Sequence, residues 1–157
     1  MDEIVIREAK PADALELDEV SASAVATLRK TYRPNPRALA NKQAIAETLT
    51  QLVAVADGRV VGSVQYSLKS DRVHFLSLEV HSDYRRRGIA TRLVAELAEI
   101  GQRAGARTLS TYTVTQTGNC KIFERMGFRV ISEEPSLFFE SDRFDTVTEA
   151  YLERQIR

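Results

Sequence analysis

The chain holds 157 residues, 43% hydrophobic and 28% charged, far from the apolar-poor, highly charged corner where disordered chains lie. Its length suits one domain, residues 1–157, and a chain of that size buries roughly 68 to 70% of its unfolded surface. The 22 basic and 22 acidic residues cancel, so no global field recruits nucleic acid or an anionic membrane, and the single cysteine, Cys120, excludes an internal disulfide and a cysteine-rich metal site.

"EIVIREA" alternates Ile4 and Ile6 against Val5 and Arg7, which predicts a short strand. "KPADALELDEVSASAVATL" follows with Pro11 and Asp13 in the first-turn positions of a helix. Pro34 and Pro36 in "TYRPNPRAL" end that helix and predict a loop, read as a lid or acceptor-site rim, before a second helical segment near residues 37–49. Asp57-Gly58 and Lys69-Ser70-Asp71 then divide three apolar runs, which predicts an antiparallel meander over 51–80.

Ile89, Leu93, Leu97 and Ile100 recur at spacings of three and four, with Gly101 and Gly105 near the end, as in an amphipathic helix. "ARTLSTYTVT" predicts a strand, and "GNCKIFERMGF" a short helix with Ile122, Phe123 and Met126 on one face and a stop at Gly127. "RVISEEPSLFF" and "TVTEAYLERQI" predict two more strands, the last setting Val147, Glu149, Tyr151 and Glu153 against Thr148, Ala150 and Leu152. The order of elements predicts an α/β (α+β) domain built on a mixed sheet. With no apolar run near the roughly 18 residues of a bilayer span, a cytoplasmic protein without membrane, nucleic-acid or metal partners is expected.

Between the strand "LSLEV" and the amphipathic helix stand Arg85, Arg86, Arg87 and Gly88. A helix N-terminus offers unpaired N–H groups and a partial positive charge. Three cations there oppose the dipole by roughly 0.3 to 1 kcal/mol each. A bound anion removes that cost; a solvated charge run does not. Gly88 and Ala90 keep the approach open, so the stretch is a phosphate-site candidate. A nucleic-acid reading is weaker, because no aromatic-interleaved strand accompanies the cluster, and a dinucleotide-binding fold lacks the early glycines of G-x-G-x-x-G.

The residues Arg85 to Ala90, R-x-x-G-x-A, resemble the acyl-CoA-binding motif of the GNAT (Gcn5-related) N-acetyltransferase superfamily. "IREAKPADALEL", "LVAVADGRVVGSV" and "KIFERMGF" are similar, in order, to that family's opening strand and helix, its second and third strands, and its C-terminal turn. The resemblance implies a GNAT-like, mostly antiparallel central sheet flanked by helices. It implies transfer of an acetyl group from acetyl-CoA, as co-substrate, to a small-molecule or peptide amine by direct attack, the chain acting alone or as a homodimer. By the same resemblance Arg85, Arg86, Arg87, Gly88, Ile89, Ala90 and Thr91 hold the pyrophosphate. The backbone of Leu78 and Val80 pairs with the pantetheine arm, and Asn119 or Gln116, with Phe123, lies near the thioester end.

The resemblance maps a proton acceptor onto His74, six before Val80, and an imidazole titrating near neutrality suits that role. Glu79 is the rival: strict alternation sets it on the opposite face from His74, so only one of the two is expected at the site unless a bulge changes the parity. Phe123 stands where most members carry the tyrosine that protonates the thiolate, and a phenyl ring has no proton to give. That leaves Tyr112, Tyr84, water or an unprotonated thiolate, and it leaves open a non-catalytic acyl-CoA-binding or regulatory domain. Cys120 is read as a small helix residue, His81 as a surface residue, and Asn119 also as an N-cap. The Arg29–Arg37 loop, the meander turn and "EEPSLFFESDRFD" are expected to bound the acceptor.

Overall fold

The structure, a computed structural model, describes residues 3–46 and 48–156. Along the chain run β1 (Val5–Glu8), α1 (Ala14–Leu28), β2 (Arg33–Pro34), α2 (Pro36–Ala46), β3 (Thr50–Ala56), β4 (Arg59–Lys69), β5 (Arg72–Val80) and α3 (Ile89–Arg103). They are followed by β6 (Thr108–Val114), α4 (Asn119–Arg125), β7 (Arg129–Pro135), β8 (Phe139–Glu140) and β9 (Thr148–Gln155). A seven-stranded sheet has the order β1-β3-β4-β5-β6-β9-β7, and β2 pairs with β8 in a ribbon of its own. Its pairs are antiparallel except β5 with β6, so the fold is mixed α/β and mostly antiparallel, as expected.

Alternation along the strands assigns the two faces. Leu52, Ala54, Val61, Val64, Val73 and Phe75 bury themselves with Ile89, Leu93, Val94 and Leu97 of α3, whereas Val53 and Val60 pack with Val20 of α1. The expected stripe of α3 is therefore its core face. Phe123 of α4 and Met126 just after it turn toward the core, but Ile122 is 48% exposed and does not share their face. None of the described helices is long and apolar enough to cross a membrane.

The segment expected as a plain loop before α2 contains a strand. Arg33 and Asn35 each precede a proline, which favours extended backbone, and Arg33-Pro34 pairs with Phe139-Glu140. Arg33 also reaches Glu140 and Asp142, both at 2.9 Å, so this basic segment neutralises part of the acidic one. α2 starts at Pro36, earlier than expected, because a proline's missing N–H costs nothing in a first turn and Asn35 Oδ1 accepts the Ala38 N–H at 3.0 Å. Position 47 of the expected helix lies outside the described residues.

Candidate functional site

Ser77 stands at φ 53, in the left-handed region. Between the Ser63–Glu79 and Gln65–Leu76 pairs, β5 spends three residue steps where β4 spends two. Ser77 is thus the site of a β-bulge, and the parity of β5 inverts there. Val73 and Phe75 face the α3 core before it; Leu78 and Val80 pack against that same core after it. His74 and Glu79 both end on the α1 side. The bulge that the sequence left open is present, and it brings the two together on one side of the sheet.

β5 and β6 pair only over Arg72–His74 with Thr108–Ser110. Just beyond, the buried Thr111 Oγ1 donates to the Phe75 carbonyl at 2.8 Å, and the strands then part. β6 keeps its partner β9 and β5 its partner β4, so along 76–80 the β5 edge turned toward β6 has no strand partner among the described residues. A cavity of about 830 Å³ occupies the opening. From the α1 side come Arg29, Tyr32, His74, Leu76 and Glu79, from the α4 side Asn119 and Phe123, and from the far strands Glu134, Glu149, Tyr112 and Tyr151. It therefore passes through the sheet. The two meander turns do not contribute to its wall.

His74 is fixed from behind. Its Nδ1 lies 2.8 Å from the Ser110 hydroxyl, and burial, with Arg72 adding to it, pushes the imidazole below its ordinary pKa. Arg72 donates to Glu153 at 2.8 Å, and the Tyr151 hydroxyl donates to the same carboxylate oxygen at 3.0 Å. The Tyr112 ring sits between His74 and Tyr151, at centroid distances of 5.5 and 5.0 Å. Tyr112 is 56% exposed, at the rim.

At the Tyr32 end of the cavity, burial pushes the Tyr32 phenol up; Glu149 and Glu79 act in the same direction and Arg29 opposes them. The Arg29 guanidinium lies 5.4 Å from the Tyr32 ring centre. Ser21 donates to Glu79 at 3.5 Å, and Ser136 donates to Glu149. With Glu134, the wall carries three carboxylates against one guanidinium, a potential that favours a cation.

The arginine loop follows where β5 ends, outside the cavity wall. Arg85 is extended, Arg86 has φ 62 and Gly88 φ 79, and the first α3 bond runs from Arg92 N–H to the Gly88 carbonyl at 3.0 Å. The amides of Ile89, Ala90 and Thr91 thus lie ahead of the helical ladder, with no side-chain cap and no acidic residue in the first turn. Ile89 is buried and anchors the helix, while Arg85, Arg86, Arg87, Gly88 and Thr91 are exposed. Beyond its own chain neighbours, no atom of the described residues lies within 4 Å of where a Gly88 Cβ would stand. Uncovered donors at the end of a loop that carries three exposed arginines fit a pyrophosphate. Arg87 rests 5.0 Å from the Tyr84 ring centre.

The other candidates divide. Leu78 lines the cavity, but Val80 directs its side chain into the core and offers only its main chain, which is opposite Gly62 of β4. Asn119 lines the cavity without capping α4: the cap is Gly118 at φ 81, and Thr117 Oγ1 accepts the Asn119 N–H at 3.1 Å. Gln116 is spent on structure, donating to the Thr146 carbonyl and accepting the Thr148 N–H, both at 3.1 Å. Phe123, 8% exposed, packs with Phe75 and Phe128 at 6.1 and 5.6 Å. Burial pushes the Cys120 thiol up, the wrong direction for a nucleophile. His81 is half-buried and accepts the Asp83 N–H at 3.1 Å.

Ser110, Ser77, Tyr32 and Glu149 escape the sequence reading. The alternation of Glu149 and Tyr151 along the last strand already sets them on one face. Ser110 carries no such signal, because only the β5–β6 register brings it beside His74.

The acetyltransferase (GNAT) family model matches residues 17–128. The chain is similar in structure to the ribosomal-protein-S18-alanine N-acetyltransferase from Escherichia coli, with a TM-score of 0.76 at 14% identity over 98% of this chain and 94% of that one. It is similar to a GNAT-family acetyltransferase from Staphylococcus aureus, TM-score 0.73 at 18% identity over 99% and 100% of the two chains. A GCN5-related N-acetyltransferase from Kribbella flavida aligns with TM-score 0.72 at 23% identity over 97% of each. At these identities the three share its fold.

Proposed function

Because the chain belongs to the GNAT acetyltransferase family, whose model spans residues 17–128, we propose that it takes the acetyl group from acetyl-CoA and passes it to an amine. The observation that carries this reading is the parting of β5 and β6 beyond the His74–Ser110 pair. It opens a cavity with a carboxylate-rich acceptor side and leaves one edge of β5 without a strand partner among the described residues, and the uncovered amides of Ile89 to Thr91 follow at the end of that strand.

The amides from Arg86 to Thr91 and the Arg85 to Arg87 guanidinium groups would hold the pyrophosphate. The main chain of Leu78 and Val80 would pair with the pantetheine arm as an added strand, with Asn119 and Phe123 toward the thioester end. Bound acetyl-CoA supplies an activated acyl group. Overall, a C–N bond forms, the C–S bond breaks with its electron pair on sulfur, and the acceptor nitrogen loses a proton. Glu79 receives that proton at its carboxylate, directly or through water, while Glu149 and the Tyr32 hydroxyl orient the amine. The acceptor is an amine of a small molecule or a peptide.

Thiol release from acetyl-CoA, followed against a panel of primary amines with the products weighed by mass spectrometry, tests the reading. Equal amounts of thiol and acetylated amine are expected. Phe123, in place of a phenol, favours a second reading, a non-catalytic acyl-CoA-binding domain. Acetyl-CoA binding without thiol release from any amine would establish that one instead.

A further inference from the structure

We propose that His74 serves the bound acyl group as a hydrogen-bond donor through Nε2–H, and that Ser110 is the positioning residue that imposes this role. The role rests on the acetyl-transfer reading above; the tautomer does not.

Ser110 is fully buried, at 0% exposure, and is the register partner of His74 at the apex where β5 and β6 part. His74 Nδ1, 2.8 Å away, is the one partner described for its hydroxyl. Two arrangements share the hydrogen between them. If Nδ1–H donated to Oγ, the hydroxyl hydrogen would be left in a dry interior without an acceptor, and such an orphan is strongly disfavoured. If Oγ–H donates to Nδ1, both groups are satisfied. The network therefore assigns the second arrangement, which puts the proton of the neutral ring on Nε2.

Nε2 faces the other way. No protein partner is described for it, and among the described residues no buried side-chain nitrogen or oxygen lacks one. An unpartnered Nε2 must then keep open surface, and the space His74 lines is the cavity. Burial and Arg72 both disfavour the charged form of the ring. A neutral imidazole N–H is too weak an acid to give up its proton, yet it polarises a carbonyl effectively as a fixed donor. It supplies part of what Phe123 cannot, and it separates the roles: His74 donates a hydrogen bond and Glu79 takes the proton.

The chain has two histidines, His74 and His81. Protein labelled with ¹⁵N-histidine thus shows two imidazoles, which a His81→Gln variant assigns. Two-bond ¹H–¹⁵N correlation at neutral pH distinguishes a protonated ring nitrogen from a bare one. A protonated Nε2 and a bare Nδ1 are expected for His74; a protonated Nδ1 would overturn the proposal whether or not the protein transfers acetyl groups. The role is read from two variants. His74→Ala should lose about 100-fold in kcat, whereas His74→Gln, whose amide N–H can donate from a similar position, should stay within about 10-fold of wild type. Equal losses would return His74 to the part of base. A wild-type chain that releases no thiol would overturn the transferase reading and the donor role while leaving the tautomer measurable.

Discussion

Valine at Gly88 separates backbone strain from ligand obstruction, provided it is matched with valine at Gly105. Both glycines hold left-handed backbone, φ 79 and φ 81, and neither would crowd a Cβ against any atom within 4 Å. Each substitution should cost about 1 to 3 kcal/mol of folding stability. For a chain of this size a kilocalorie lowers Tm by about 2 to 4 °C, so similar melting shifts are expected. The two sites flank the 15 residues of α3, about 22 Å of helix, and only Gly88 adjoins the uncovered amides. A hydrogen bond to a charged group is worth about 1.5 to 3 kcal/mol. If Gly88→Val displaces even one from the pyrophosphate, Kd for acetyl-CoA rises about 10- to 100-fold, while Gly105→Val leaves it unchanged. Titration calorimetry beside thermal denaturation reads both quantities. Unaltered affinity in Gly88→Val, or equal weakening in both variants, would refute an anion site at the start of α3.

Further outcomes follow from the same geometry. Glu79→Gln should lower turnover by about 100-fold or more while acetyl-CoA affinity, measured by titration, holds; a variant as fast as wild type at every pH from 6 to 9 would move the proton acceptor elsewhere. Asp13, paired with Arg7 at 2.8 and 2.9 Å and capped by the Lys10 N–H, has its carboxyl lowered from 3.8 to about 2. A depressed pKa adds stability that is present above pH 3.8 and is lost as pH falls toward 2. With the Arg7 side chain 32% exposed to screening solvent, about 1 to 2 kcal/mol is expected. Urea unfolding of wild type and Asp13→Asn should therefore converge by that amount between pH 5 and pH 2. Gly101→Ala would set a Cβ 2.6 Å from Ile156 Cδ1 and 2.9 Å from Val73 Cγ2. Overpacking of about 1 to 3 kcal/mol should outweigh about 1 kcal/mol of helix propensity, so a raised Tm would contradict the packing described.

Local rules account for much of this molecule. The period of Ile89, Leu93 and Leu97 predicts α3 and its buried face, because one stripe of a helix meets the sheet at every third or fourth residue. Asp57-Gly58 predicts the first meander turn, since both residues adopt positive φ, at 55° and 75°. The arginine run before Gly88 marks the uncapped start of α3 because helix starts expose the same donors wherever they occur. Short range also misleads. Arg33-Pro34 reads as loop, and its strand character depends on a partner more than a hundred residues away.

The chemistry of the site was less legible. Sequence alone determined most of the helices and strands, the arginine run ahead of α3 and the absence of a phenol at Phe123, each a matter of spacing or residue type within one segment. Only the tertiary structure decided that His74 and Glu79 share a wall, because one bulged residue, Ser77, inverts every position after it and alternation cannot announce it. Only the β5–β6 register sets Ser110 against His74, and a proton's place on an imidazole follows from what its buried nitrogen touches.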